Sequence, residues 1–218
     1  MSEPTPRGNP APERAALHHL ADCVRRLIEV TVTLQAPPEV LDAAAAALER
    51  VAVDLQRFIP DPPPPRYPFS EPTDNPADLF PNDYVLGWAN PLAVPLRVEW
   101  DQTKAIGRAC FGTPYEGPPG CVHGAAIAAA FDQMFAVANL MAGTPGPTRK
   151  LELRYHRPTP LFKAVRFEAW RERVDDRRVH SAGRLLADDT VTVEAEGLFV
   201  MLSPEQVMQL LARSSKTE

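Results

Sequence analysis

The sequence predicts an α+β fold, in which an antiparallel sheet encloses one long helix and two further helices precede the domain. Three observations carry this. Between residues 92 and 111, short β-branched and aromatic runs are separated by turn residues. One apolar helical pattern follows, from about Gly124 to Met141, with a single acidic residue in it. Four strand-like runs then fill residues 151–202, and strands, one helix and a second run of strands in that order read as α+β.

Each element has a local reason. Residues 1–12 are polar and proline-broken, which predicts a disordered leader without the apolar stretch of a signal peptide. From Glu13 to Gln35, Leu17, Leu20, Val24, Leu27, Ile28 and Leu34 recur at helical spacing until Pro37-Pro38 breaks the pattern. Leu41, Ala44, Ala45, Leu48, Val51, Leu55 and Phe58 repeat it on an Ala-rich background. Together they predict a helical hairpin over 13–59. Residues 60–81 concentrate proline and predict a stiff linker, leaving one domain over 82–203.

Within that domain, Leu92–Trp100 and Thr103–Phe111 are strand candidates, followed by turns at Gly112-Thr113-Pro114 and Gly117-Pro118-Pro119-Gly120. Ile127, Ala130, Phe131, Met134, Val137, Ala138 and Met141 mark the long helix. Leu151, Leu153 and Tyr155 alternate with Glu152, Arg154 and His156, as a half-buried strand requires. Val165/Phe167/Ala169, Val179–Leu186 and Val191–Leu202 supply three more strands, with Asp188-Asp189 as a hairpin turn. Ser203 and Pro204 suit the first positions of a final helix over 204–218.

Composition narrows the function. The 218 residues are 44% hydrophobic and 23% charged, enough for one domain with a core plus an appendage. A net charge of −5 with scattered arginines gives no footprint for nucleic acid. Cys23, Cys110 and Cys121 form no C-x-x-C pair, and an odd set of three fits a reducing cytoplasm. No uncharged apolar run approaches the roughly 20 residues of a membrane span. His18, His19 and Asp22 have metal-like spacing but no further ligand nearby, so neither a metal nor a cofactor is implied.

Two features point to chemistry. Asp132 lies among Ala129, Ala130, Phe131, Met134 and Phe135, where an enclosed carboxylate is expensive unless paired or hydrogen-bonded. His123-Gly124 opens the same helix after a Gly/Pro turn, and free N–H groups at a helix start can hold an anion or oxyanion. Cys121 beside His123 offers a nucleophile–base pair, but no third group orients it.

Glu116-Gly117-Pro118-Pro119-Gly120-Cys121-Val122-His123-Gly124, then Asp132, Thr148 and Tyr155-His156-Arg157-Pro158, resembles the hotdog-fold acyl-CoA thioesterases of the phenylacetate-thioesterase (PaaI-like) group. Mammalian thioesterase superfamily members belong to the same group. The resemblance covers residues 82–202 and rests on the intervals from His123 to Asp132, Asp132 to Thr148 and Thr148 to Tyr155. Ala125 stands where the family usually has a second Gly, and no Asn precedes the His-Gly pair.

The resemblance implies a hotdog fold and hydrolysis of acyl-CoA. The Gly124 amide would polarise the thioester carbonyl, Asp132 would act as general base or as nucleophile, and Thr148 would orient the water or the carboxylate. His123 would hold the carbonyl or fix the turn. Val122, Phe131 and Phe135 would meet the acyl group, and Arg157 a CoA phosphate. Eight helical residues separate Gly124 from Asp132, about 12 Å along the axis, so one helix cannot bring both to one carbonyl. A homodimer, or a dimer of dimers, would do so with antiparallel copies. Two other classes share the fold: a non-catalytic acyl-CoA-binding module, which needs neither Asp132 nor Thr148, and a hydratase/dehydratase, which needs an Asp/His pair around the turn.

Overall fold

The computed structural model describes residues 12–61, 76–203 and 205–206. The expected leader, most of the proline linker and nearly all of the C-terminal helix lie outside the described residues. Helices α1 (Pro12–Thr33) and α2 (Pro38–Gln56) come first, then one turn of helix, α3 (Pro76–Leu79), within the span expected to be linker. Strands β1 (Leu96–Trp100) and β2 (Ala105–Cys110) precede a 3₁₀ turn at Thr113–Tyr115 and the long helix α4 (Gly124–Met141). Strands β3 (Thr148–Tyr155), β4 (Ala164–Asp175), β5 (Arg178–Ala187) and β6 (Thr190–Val200) complete one six-stranded antiparallel sheet ordered β1-β2-β4-β5-β6-β3.

The core lies between α4 and one face of this sheet. Phe131, Met134, Phe135, Val137 and Ala138 of α4 are fully buried against Phe167, Leu185, Val193 and Phe199 of the strands. Gly183 and Gly197 leave room for the rings: a Cβ at either position would come within 3.0 Å of Phe135. By length and composition Gly124–Met141 is apolar enough to cross a bilayer, but its run is interrupted by Asp132 and it serves here as the core helix against the sheet. The β5–β6 turn is the hairpin that Asp188-Asp189 predicts: both have positive φ, 47° and 58°, as a two-residue turn of this hand requires.

The opposite face of the sheet is charged. Glu168 is buried there, with Arg184 Nη2 at 2.9 Å, Lys104 Nζ at 3.2 Å and Arg166 Nε at 3.3 Å. Burial pushes its pKa up, but hydrogen bonds from Arg184 and Lys104 outweigh that and hold it below the usual carboxylate value. A carboxyl with a lowered folded-state pKa stabilises the fold above its unfolded value, and that contribution disappears as pH falls. Glu168→Gln should therefore destabilise the protein by about 2 kcal/mol at neutral pH, since it removes a charged acceptor from buried hydrogen bonds. In urea titrations the gap to wild type should close as pH is lowered past 4.5 and through the folded-state value below it.

The N-terminal helices differ from the expected hairpin. α1 lies against the domain rather than against α2. Arg25 donates to three carbonyls, those of Gly87 (3.1 Å), Trp88 (3.2 Å) and Asn90 (2.7 Å). The Glu29 carboxylate accepts from the Thr113 N–H at 3.3 Å, and Arg14 pairs with Asp78 and stacks over Trp88. α2 has no buried residue. The first helix is thus fastened to the loops on either side of the β1–β2 hairpin, and only the second stands apart.

Candidate active site

The site begins at the start of α4. The Gly117–Gly120 turn is closed by Gly117 N–H to Cys121 O (2.9 Å) and by Cys121 N–H to Pro118 O (2.9 Å). A Cβ on Gly117 would come 2.9 Å from the His123 Cα, so glycine is what lets the turn fold onto the helix start. The His123 N–H is held by Tyr115 O at 2.8 Å. His123 is the N-cap of α4, and its Nδ1 accepts from the Ala125 N–H at 3.0 Å. An amide N–H can only donate, so in the neutral ring the proton sits on Nε2, and the side chain is exposed. The Gly124 N–H has no hydrogen-bond partner among the described residues and points out of the positive end of the helix.

Tyr155 completes this end. Its hydroxyl donates to Gly124 O at 2.9 Å, and a Cβ at 124 would come 3.1 Å from the Tyr155 hydroxyl oxygen. Desolvation raises the Tyr155 pKa, which keeps the phenol protonated and donating. The sequence string contains Tyr155, but nothing in its pattern assigned it this role.

Two turns further along α4, Asp132 Oδ1 accepts from Thr148 Oγ1 at 2.6 Å. A β-bulge between Thr148 and Lys150 lies at this point, the kind of irregularity that re-aims a side chain off a regular strand. Asp132 is half-exposed rather than enclosed: it lies on the side of α4 that carries Ala125 and Ala128, away from the face buried on the sheet. Beside it, β3 is an edge strand pairing only with β6, and Leu151 and Leu153 are half-buried on its inner face. The result is an apolar groove with a free amide at one end and a hydrogen-bonded carboxylate at the other.

The other predicted residues separate. Val122 is buried in the wall of the turn, its N–H on Thr159 O at 2.8 Å. Phe131 and Phe135 are core residues, fully buried with ring centroids 5.8 Å apart and packed on Phe167 and Phe199. They do not face the groove, which corrects their expected contact with the acyl group. Arg157 is exposed just beyond β3, its backbone N–H on Thr192 O. His18 and Asp22 approach to 3.7 Å, and no group of three metal-ligating side chains occurs among the described residues.

Comparison with known proteins identifies the family. The thioesterase superfamily profile matches residues 119–195, from the Gly/Pro turn through most of β6. A solved thioesterase superfamily protein is 31% identical, superimposes with a TM-score of 0.74, and the match covers 90% of this chain and 93% of that one. The chain belongs to the thioesterase superfamily. Among curated members, the human acyl-coenzyme A thioesterase THEM5 is 29% identical over 97 residues and the cattle acyl-coenzyme A thioesterase THEM4 is 32% identical over 98. Each match covers 44% of this chain, which spans about 40% of the length of these superfamily relatives.

Proposed function

We propose that the protein hydrolyses acyl-CoA thioesters at a site completed by a second copy. The observation that carries this is the Thr148–Asp132 hydrogen bond on a half-exposed helix face, beside an open edge strand and in line with a free helix-terminal amide. Two chains pairing antiparallel through β3 would bring Gly124 of one chain toward Asp132 of the other, the distance that a single helix cannot span. The curated relatives' names supply the substrate class.

In this reading the thioester carbonyl oxygen rests on the Gly124 N–H, with the His123 Nε2–H as a second donor. Thr148 holds one carboxylate oxygen of Asp132 and leaves the other to accept a proton from water. The water oxygen attacks the carbonyl carbon, and the developing oxyanion is stabilised by the amide and the helix dipole. On collapse the carbon–sulfur bond breaks, and Asp132 returns the proton to the departing thiolate, giving the free acid and CoA. The exposed Arg157 is suited to a CoA phosphate. The free thiols support a reducing, cytoplasmic setting.

The direct test is thiol release from acyl-CoA substrates running from acetyl to palmitoyl, with phenylacetyl included. Steady turnover on at least one is expected. Protein that binds these compounds and releases no thiol from any of them would assign a binding role instead.

A further inference from the structure

The N-terminal helices carry apolar surface that nothing in the chain covers. Most of the exposed large hydrophobic side chains among the described residues lie in α1, α2 and the turn after α2. Their spacing is heptad. In α1 and its first following residue, Leu17, Leu20, Val24, Leu27, Thr31 and Leu34 alternate three and four apart; in α2, Leu41, Ala44, Leu48, Val51 and Leu55 do the same. The flanking positions are also apolar: Ala16, Ile28 and Val30 in α1, with Ala21 already buried on the side docked to the domain, and Val40, Ala45, Ala47 and Ala52 in α2. A stripe this wide suits a multi-helix bundle rather than a two-stranded coil. Yet α2 buries nothing, and an isolated helix of 19 residues is marginal in water.

We infer that α1 and α2 pair with the same helices of a second copy, forming a four-helix bundle that joins two dimers into a tetramer. The two helices have 22 and 19 residues, about 33 and 28 Å long, matched closely enough to line one bundle. About a dozen half-exposed aliphatic and aromatic side chains offer roughly 600 Å² per chain. That approaches the roughly 800 Å² per partner of a standard interface. The polar side of α2 carries Glu39, Asp42, Glu49 and Asp54 against Arg50, which turns it away from an anionic membrane. Its position sets which copies it joins. α1 is anchored on the loops around β1 and β2, at the sheet edge opposite β3, so the bundle holds a copy other than the β3 partner.

The test is native mass of the full chain by light scattering, with amide exchange read in parallel. Leu48→Asp/Leu55→Asp charges the seam of α2; Val53→Asp adds the same charge outside the seam, at a side chain already 67% exposed. The double variant should have half the wild-type mass and lose protection in α2 while keeping it in α4, and Val53→Asp should match wild type. Equal masses for wild type and double variant would overturn the inference. So would α2 amides in wild type that exchange as an uncovered helix, or seam-dependent binding to phosphatidylglycerol vesicles without any change in mass. None of these readouts depends on catalysis.

Discussion

Asp132→Asn should lower kcat on the preferred acyl-CoA by about 10²-fold or more, because it keeps the shape of the side chain and removes the proton acceptor. The Thr148 hydroxyl, 2.6 Å from the carboxylate oxygen in wild type, can still donate to the amide oxygen, though more weakly once the charge is gone, so the local fold should survive. Steady-state kinetics separates the outcomes. A loss in kcat with little change in KM assigns Asp132 to the chemical step. A variant turning over within a few-fold of wild type would remove Asp132 from the mechanism.

A second result should be recovery of activity from two inactive chains. Gly124→Pro removes the proposed oxyanion N–H at the first helical position, where proline is best tolerated, and His123 already has the extended backbone (φ −62°, ψ 133°) that a residue before proline prefers. Gly124→Pro and Asp132→Asn homodimers should each be nearly inactive. Co-refolded in equal amounts, about half of the dimers are mixed by random pairing. If amide and carboxylate come from different chains, each mixed dimer has one intact and one doubly damaged site, and roughly a quarter of wild-type activity should return. With mixed dimers confirmed by mass, no recovery would place both groups in one chain and end the shared-site mechanism.

Much of the site was legible because it depends on short-range order. The helix occupies Gly124–Met141 as its apolar pattern indicates, and the interval to Thr148 marks a residue that does reach Asp132. Periodicity does not say which apolar side of a helix meets the sheet. Phe131 and Phe135 therefore looked like acyl contacts, and only the packing on Phe167 and Phe199 shows them as core. Asp132 looked enclosed because its neighbours are apolar, but the face it shares with Ala125 and Ala128 is turned away from the sheet. The docking of α1 was hidden for a different reason: Arg25 reaches carbonyls more than 60 residues away, and no local pattern announces such a contact.

The alternation along β3 also limits how two copies of that strand can meet. Lys150, Glu152 and Arg154 point away from α4, and in the lone chain Lys150 Nζ and Glu152 Oε2 are 2.6 Å apart. If two β3 strands paired antiparallel about Glu152, each lysine would face an arginine and the two glutamates would face each other, a like-charge ladder that opposes pairing. Moving the symmetry point by one residue, to Leu151 or Leu153, sets lysine against glutamate or glutamate against arginine. Those are the alignments with an inward leucine on the axis. If two chains pair through β3 as proposed, three charged side chains outside the groove would thereby disfavour the alignment centred on Glu152 and help decide which residue of one chain stands opposite Asp132 of the other.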